Sequence, residues 1–306
     1  MIPLALVIGF LGSGKTTFLK QLARRHCGRK IVYLVNEFSA KDVDGALLAA
    51  ETPDVVSVAG GSIFCRCLVT EFIARLRELP ARFGTPAAPV EAVVVEASGI
   101  ANPAVASQML REAQLDRQYE LAAVLAIVDP GSFGKLLLTL PNIRVQIEAA
   151  NHILINKTDA YPCALIEQTE TAVREINRAV TPTRTSFSAA DVDLFGARLT
   201  GAQRGELAPC RDPNFVSFSV PLDRDLDLNL FRVALEAAKD GIYRVKGFVG
   251  VGGRQFYLDY SASGLRVEES PGQRPPELVF ILSAPATGAA RFLRDIRSGR
   301  YSSEAI

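Results

Sequence analysis

The stretch PLALVIGFLGSGKTT, Pro3 to Thr17, decides the fold. An apolar run, Pro3–Ile8, leads straight into Gly9-x4-Gly14-Lys15-Thr16, and an amphipathic stretch, Thr16–His26, follows. Strand, glycine loop and helix in that order are the setting a phosphate-binding loop requires. The glycines let backbone N–H groups converge on phosphate oxygens, and the helix N-terminus adds a favourable dipole. In such a loop Lys15 presents a cation to the β- and γ-phosphates and Thr16 a hydroxyl ligand for Mg²⁺. Gly12, Ser13, Gly14 and Thr17 complete the cradle. The alternative is a glycine-rich turn that matches by chance.

The same alternation continues to about residue 200. Apolar runs at Lys30–Val35, Asp54–Val58, Val90–Glu96, Leu121–Val128 and His152–Asn156, and a weaker one at Thr183–Phe187, read as strands. Between them Glu71–Phe83, Pro103–Arg111 and Ile166–Ala179 read as helices. That pattern predicts βαβ units and an α/β fold, a mostly parallel sheet covered by helices, with ligands beyond the carboxyl ends of the strands. Residues 201–214, GAQRGELAPCRDPN, are polar and turn-rich and read as a linker. The expected domains are 1–205 and 214–306. In the second, Phe215–Val220, Gly241–Val251, Arg254–Tyr260 and Glu277–Leu282 read as strands, and Leu226–Lys239 and Ala289–Ser298 as helices. Strands that follow one another directly predict a small antiparallel α+β domain.

Composition narrows the function classes. The 306 residues carry 34 Lys and Arg against 33 Asp and Glu, a net charge of +1. That balance gives no reason to expect nucleic acid or a membrane surface as partner. No apolar run reaches the ~20 residues of a membrane span. Met1–Phe10 lacks the basic start of a signal peptide and reads as a buried strand. Five cysteines, an odd number, do not suggest a disulfide framework, so a reduced, cytoplasmic setting is expected. His26 and His152 are the only histidines, which excludes a histidine-rich metal store.

Asn156-Lys157-Thr158-Asp159 follows another strand run, and an NKxD sequence there points to guanine. The Asp159 carboxylate would accept from the guanine N1–H and the exocyclic amino group. Adenine lacks that donor pair, and a buried acceptor left unpaired discriminates by roughly 10⁴ or more. Asn156 would hold the loop or bond the base, and the Lys157 stem would cover one face of it. Thr185–Ser188 would supply a neighbouring loop, although its sequence carries little information.

Two further loops read as nucleotide sensors. Glu96-Ala97-Ser98-Gly99 follows a strand run, where a nucleotide hydrolase holds Mg²⁺, often through water. Gly99 could give its N–H to the γ-phosphate, so that the loop relaxes on hydrolysis. The alternative for Glu96 is a helix cap. Asn36-Glu37-Phe38 follows the second run; Glu37 and Asp42 would face Mg²⁺ or a second metal, or be exposed loop carboxylates. Asp44 reads equally as a helix cap.

The segment Gly60-Gly61-Ser62-Ile63-Phe64-Cys65-Arg66-Cys67 offers Cys65 and Cys67 as soft ligands for a transition metal, with Glu37 or a partner completing the site. The alternative is a pair of thiols with no metal. Cys27, Cys163 and Cys210 read as structural. His26 reads as a charge at a helix C-terminus.

Assembled, these segments resemble the CobW-type metallochaperone GTPases, P-loop proteins of the SIMIBI class related to the urease and hydrogenase nickel-insertion GTPases. The resemblance spans nearly the whole chain. It rests on GFLGSGKTT at 9–17, VNEF at 35–38, the Gly-Gly-led cysteine loop at 60–67, EASGIANP at 96–103, NKTD at 156–159 and GIYRVKGFV at 241–249. It implies hydrolysis of GTP with Mg²⁺; because the sequence identifies no catalytic arginine or water-positioning base, hydrolysis is expected to be slow without a partner. It also implies GTP-dependent delivery of Zn²⁺, Co²⁺ or a metal cofactor to a client metalloprotein, with a second copy of the chain as another candidate partner. By the resemblance Lys15 and Thr16 bind phosphate and Mg²⁺, Glu96 and Gly99 form the switch, and Asn156 and Asp159 read guanine. The chain departs from the family where the metal loop usually reads Gly-Cys-x-Cys-Cys. Ser62 and Phe64 replace two of those cysteines, Ser39 replaces a glycine after Asn-Glu-Phe, and the alternative of a regulatory GTPase that carries no metal stays open.

Overall fold

In a computed structural model the first strand, β1 (Ile2–Ile8), is buried continuously from Leu4 to Ile8. A strand buried on both faces is the mark of an interior position in a parallel sheet. The structure describes residues 1–37, 44–59, 62–65, 68–99, 101–196, 199, 215–270, 274–283 and 289–302. Two compact units divide at Cys210 and Arg211.

The first unit continues from β1 through α1 (Lys15–Arg25), β2 (Ile31–Glu37), α2 (Asp44–Leu48), β3 (Val55–Ala59), α3 (Val69–Phe83) and β4 (Ala92–Glu96). After a 3₁₀ turn at Pro103–Val105 come α4 (Ala106–Glu112), β5 (Tyr119–Val128), α5 (Pro130–Thr139), α6 (Pro141–Ala149), β6 (His152–Ile155), α7 (Cys163–Ile176) and β7 (Thr183–Arg184). The sheet has seven strands in the order β3-β2-β4-β1-β5-β6-β7, and every neighbouring pair is parallel. The alternating sequence is therefore the α/β fold it predicts. One face is sealed by Phe18, Leu19 and Leu22 of α1 against Ala5, Val7, Val35, Val94, Leu125 and Ile127.

The last strand differs from expectation. It stops at Arg184 rather than Phe187, because Phe187 and Ser188 adopt left-handed backbone angles, φ 54° and 56°. The chain turns there, out of the sheet. A helical pair, α5 and α6, fills the stretch between β5 and β6, each helix opening with a proline at its first turn. Asp129 caps α5 by accepting from the Gly131 N–H at 3.0 Å.

The second unit is antiparallel. Its strands are β8 (Phe215–Pro221), β9 (Ile242–Val251), β10 (Arg254–Ser261), β11 (Gly264–Glu269) and β12 (Glu277–Ser283), in the order β11-β10-β9-β12-β8. Helices α8 (Leu228–Ala237) and α9 (Ala290–Arg297) supply Phe231, Leu235, Phe292 and Ile296 to a core with Val245, Leu258 and Phe280. The edge strand β11 goes unforeseen, because half of GLRVEE is charged and none of it is buried. No helix among the described residues is long and apolar enough to cross a membrane.

Candidate functional site

The strands β1 to β7 all end at the carboxyl edge of one parallel sheet, so the order of the strands sets the order of the chemistry. Gly9–Gly14 follows the central β1. Beside it, Val7 is in register with Glu96 of β4, and Glu96 with Val35 of β2. On the other side β5 and β6 carry Asp129 and Asn156.

The glycine loop is closed on its own lysine. Lys15, 6% exposed, donates from Nζ to the carbonyl oxygens of Gly9 (3.0 Å) and Phe10 (3.4 Å). The Gly14 backbone, φ 112°, lies in the region that favours glycine, and a Cβ there would stand 2.3 Å from Asn156 Nδ2. Helix α1 then starts at Lys15 with no acidic residue of its own in the first turn, so its N-terminal dipole stays available to a bound anion. Gly12 and Thr17 are half-buried, and Ser13 is buried. The arrangement presents backbone donors, a dipole and a cation to one point, which suits a polyphosphate.

The Thr16 hydroxyl donates to Glu96 Oε1 at 3.4 Å, and the Glu96 carboxylate is 2% exposed. A hydroxyl and a carboxylate at the mouth of a phosphate cradle form the hard oxygen donor set that Mg²⁺ prefers. Gly99 lies against the same loop: a Cβ on it would meet Leu11 N at 2.8 Å, so only glycine permits this approach. Its carbonyl, with that of Ala101, accepts from Gln146 Nε2 of α6 at 3.3 and 2.9 Å.

The NKTD loop is tied to the cradle directly. Asn156, 2% exposed, donates from Nδ2 to the Ser13 carbonyl (2.7 Å) and accepts at Oδ1 from the Ser188 N–H (2.7 Å). Ser188 in turn donates from Oγ to the Gly14 carbonyl at 3.0 Å. Of the two roles the sequence leaves open to Asn156, the structure thus displays loop holding. Thr158 reaches the same loop through Thr185 and Ser186. Lys157 sits at φ 59°, a conformation unusual for a residue with a side chain, and pairs with Asp129 at 2.8 Å. That pair fixes the lysine stem. Asp159 is exposed, two residues beyond.

The described part of the cysteine loop, Ser62–Cys65, is packed inward. Ser62 is 4% exposed, Phe64 0% and Cys65 3%. The Phe64 ring meets Phe72 of α3 edge-on, 5.9 Å between centroids at 88°. Among the described residues no group of three or more His, Cys, Asp or Glu side chains is placed to hold a metal. Cys67, Asp42, Cys210 and the side chains of Glu37 and Asp44 lie outside the described residues; the Glu37 backbone ends β2 and Asp44 opens α2. Cys27 and Cys163, expected as structural thiols, are exposed and pack no core, because each falls at a helix end. His26 is the C-cap residue of α1, as its position suggests.

The contacts of four residues escape the sequence reading, although Ser188 and Asn36 lie in segments it singles out. Ser188 and Asn36 carry no local pattern that announces their partners. Gln146 stands at a core-facing position of α6 between Ile143 and Ile147, which is the available signal. Asp129-Pro130 is a recognisable helix start.

Residues 3–183 match the family model described as CobW/HypB/UreG, nucleotide-binding domain, and residues 215–294 that of the cobalamin synthesis protein cobW C-terminal domain. The zinc chaperone CobW of Sinorhizobium sp is 25% identical over 316 residues, which cover 88% of this chain and 87% of that protein. The zinc chaperone YeiR of Escherichia coli (strain K12) is 34% identical over 161 residues, 50% of this chain and 46% of its own. The crystal structure of Zn(II)-bound YjiA GTPase from E. coli is similar with a TM-score of 0.45 at 21% identity, covering 98% of each chain. The first family match alone spans more than half of the chain, which belongs to the CobW/HypB/UreG family of nucleotide-binding proteins.

Proposed function

We propose that this chain binds Mg·GTP at the carboxyl edge of the parallel sheet, hydrolyses it, and uses the change to deliver a transition metal or metal cofactor to a client protein. The observation that carries the proposal is the Asn156 amide, which joins the NKTD loop to the phosphate cradle at Ser13 and to the loop at Ser188. A base reader and a phosphate reader bonded to each other recognise one nucleotide. Asp159 reads the guanine edge, and the fixed Lys157 stem covers one face of the base. On binding, the Lys15 ammonium exchanges the Gly9 and Phe10 carbonyls for phosphate oxygens. Thr16 and Glu96 hold Mg²⁺, which neutralises charge on the phosphates. The Gly99 N–H reaches the γ-phosphate and reports its presence. Hydrolysis by the chain alone is slow, and a partner supplies a catalytic arginine.

Asp159→Asn tests the base assignment. Its amide cannot accept both guanine donors, so GTP affinity falls by about 100-fold or more, while xanthosine triphosphate, with an acceptor at C2, is bound in its place. Fluorescent-nucleotide titration measures both. Unchanged GTP affinity would refute the assignment. Lys15→Ala serves as the control without hydrolysis.

Relatives named zinc chaperones support zinc as the cargo. A second reading, a GTPase that remodels a metalloenzyme without carrying metal, is favoured by the buried Ser62 and Phe64 where family cysteines are usual. Titration of Zn²⁺ and Co²⁺ in the presence of a non-hydrolysable GTP analogue separates the two. Submicromolar affinity lost in Cys65→Ser and Cys67→Ser supports the carrier. Affinity no better than that of the variants supports the remodeller.

A further inference from the structure

Asn36 stands near the end of β2, between β3 and β4, and is 4% exposed. Its Oδ1 accepts two backbone N–H groups from two different loops. One comes from Ile63, two residues before Cys65, at 3.0 Å; the other comes from Ser98, the residue before Gly99, at 3.1 Å. Its Nδ2 donates to the Val58 carbonyl of β3 at 3.2 Å, which fixes the plane of the amide. One carbonyl oxygen has two lone pairs, and these two N–H groups fill both.

That geometry has a directional consequence. Gly99 follows Ser98 directly, so a contact from Gly99 to the γ-phosphate shifts the Ser98 N–H. The acceptor it shares with Ile63 then either follows or loses one donor. In a buried site neither N–H finds water as a substitute, so both loops must respond together. The route from nucleotide to thiol is short: Gly99, Ser98, Asn36 Oδ1, Ile63 and, two residues on, Cys65.

We propose that Asn36 is the positioning residue that couples the nucleotide-sensing loop at Ser98–Gly99 to the cysteine loop at Ser62–Cys65. This inference rests on the GTP-dependent function proposed above and names the side chain through which the nucleotide acts on the cargo loop. Asn36 touches neither nucleotide nor cargo on this account. It makes the state of one loop depend on the state of the other.

The test is backbone hydrogen exchange followed by mass spectrometry on the full chain, with Mg²⁺ and either GDP or a non-hydrolysable GTP analogue. In the unsubstituted protein, exchange at both Ile63–Cys65 and Ser98–Gly99 should change by about 5-fold or more between nucleotides, the lower end of ordinary coupling between sites. In Asn36→Ala the response at Ser98–Gly99 persists and the response at Ile63–Cys65 is lost, with GDP affinity retained. Asn36→Asp keeps the accepting oxygen and restores the response at the cysteine loop, which a merely structural role would not predict. Asn36→Ser, too short to serve both N–H groups, is expected to behave as Asn36→Ala and replaces it should the alanine variant not fold. A cysteine loop that responds equally in these variants, or fails to respond in the unsubstituted protein, overturns the coupling and leaves GTP binding intact. Absence of GTP binding in the unsubstituted protein overturns the function and the coupling together.

Discussion

Asn156 and Asn36 solve the same problem at two places: each is a buried amide that joins loops distant in sequence. Asn156 bonds Ser13 and Ser188, 143 and 32 residues away. Its replacement by alanine leaves the Ser188 N–H and the Ser13 carbonyl without those partners. A buried polar group left unsatisfied costs about 1–3 kcal/mol. At about 2–4 °C per kcal/mol for a domain of this size, Asn156→Ala should lower the melting temperature by about 5–10 °C and weaken GTP binding with it. Calorimetry and nucleotide titration check the two effects. At this scale the sequence was legible where chemistry is local. Lys15, Thr16 and Gly14 announce themselves because the loop's function depends on adjacent residues. Asn36 and Ser188 do not, because their partners are chosen by the fold rather than by spacing.

Among elements, the order of strands does the arranging. Parallel strands put every following loop at the same edge, so β4 beside β1 is enough to bring Glu96 to Thr16 at 3.4 Å. The apolar runs that mark these strands were readable, since continuous Val and Ile stretches have few other places to go. Helix α6 was harder to anticipate. Its Gln146, 2% exposed, is a polar side chain on an inward face, and its purpose appears only when Gly99 and Ala101 are seen opposite. Gln146→Leu keeps the volume roughly and removes both hydrogen bonds. We expect hydrolysis to slow by about 10-fold, the equivalent of about one hydrogen bond at 1.4 kcal/mol, with GDP affinity unchanged. Single-turnover kinetics decide it; a parallel loss of GDP affinity would show that α6 supports the whole site instead. The edge strand β11 and the early end of β7 were not legible for a related reason. A charged edge strand looks like a loop, and the left-handed turn at Phe187 has no glycine to mark it.

For the molecule as a whole, His152 links stability to pH in the neutral range. His152, at the start of β6, is half-buried; burial lowers its pKa from 6.5, and the Asp193 carboxylate opposes the shift in part. The folded state therefore takes up a proton less readily than the unfolded chain. The stability that His152 contributes is full above pH 6.5 and declines as pH falls below it, because the unfolded chain protonates there more readily than the folded one. His152→Gln should flatten that decline, so that melting temperatures of variant and parent converge toward acid. Thermal melts between pH 7.5 and 5 measure it, and parallel curves would reject the assignment.

The phenyl ring of Phe64 limits how far this loop can be redesigned as a thiol site. Phe64 fills the core against Phe72. Changing it to cysteine would add a donor atom and open a void in the same step, and large-to-small changes at buried aromatic sites cost about 3–5 kcal/mol at the alanine limit. A cysteine placed there needs compensating bulk from α3, whose Phe72 ring is the contact that would be lost. The same ring that closes the core thus sets a stability cost on adding a third thiol to this loop.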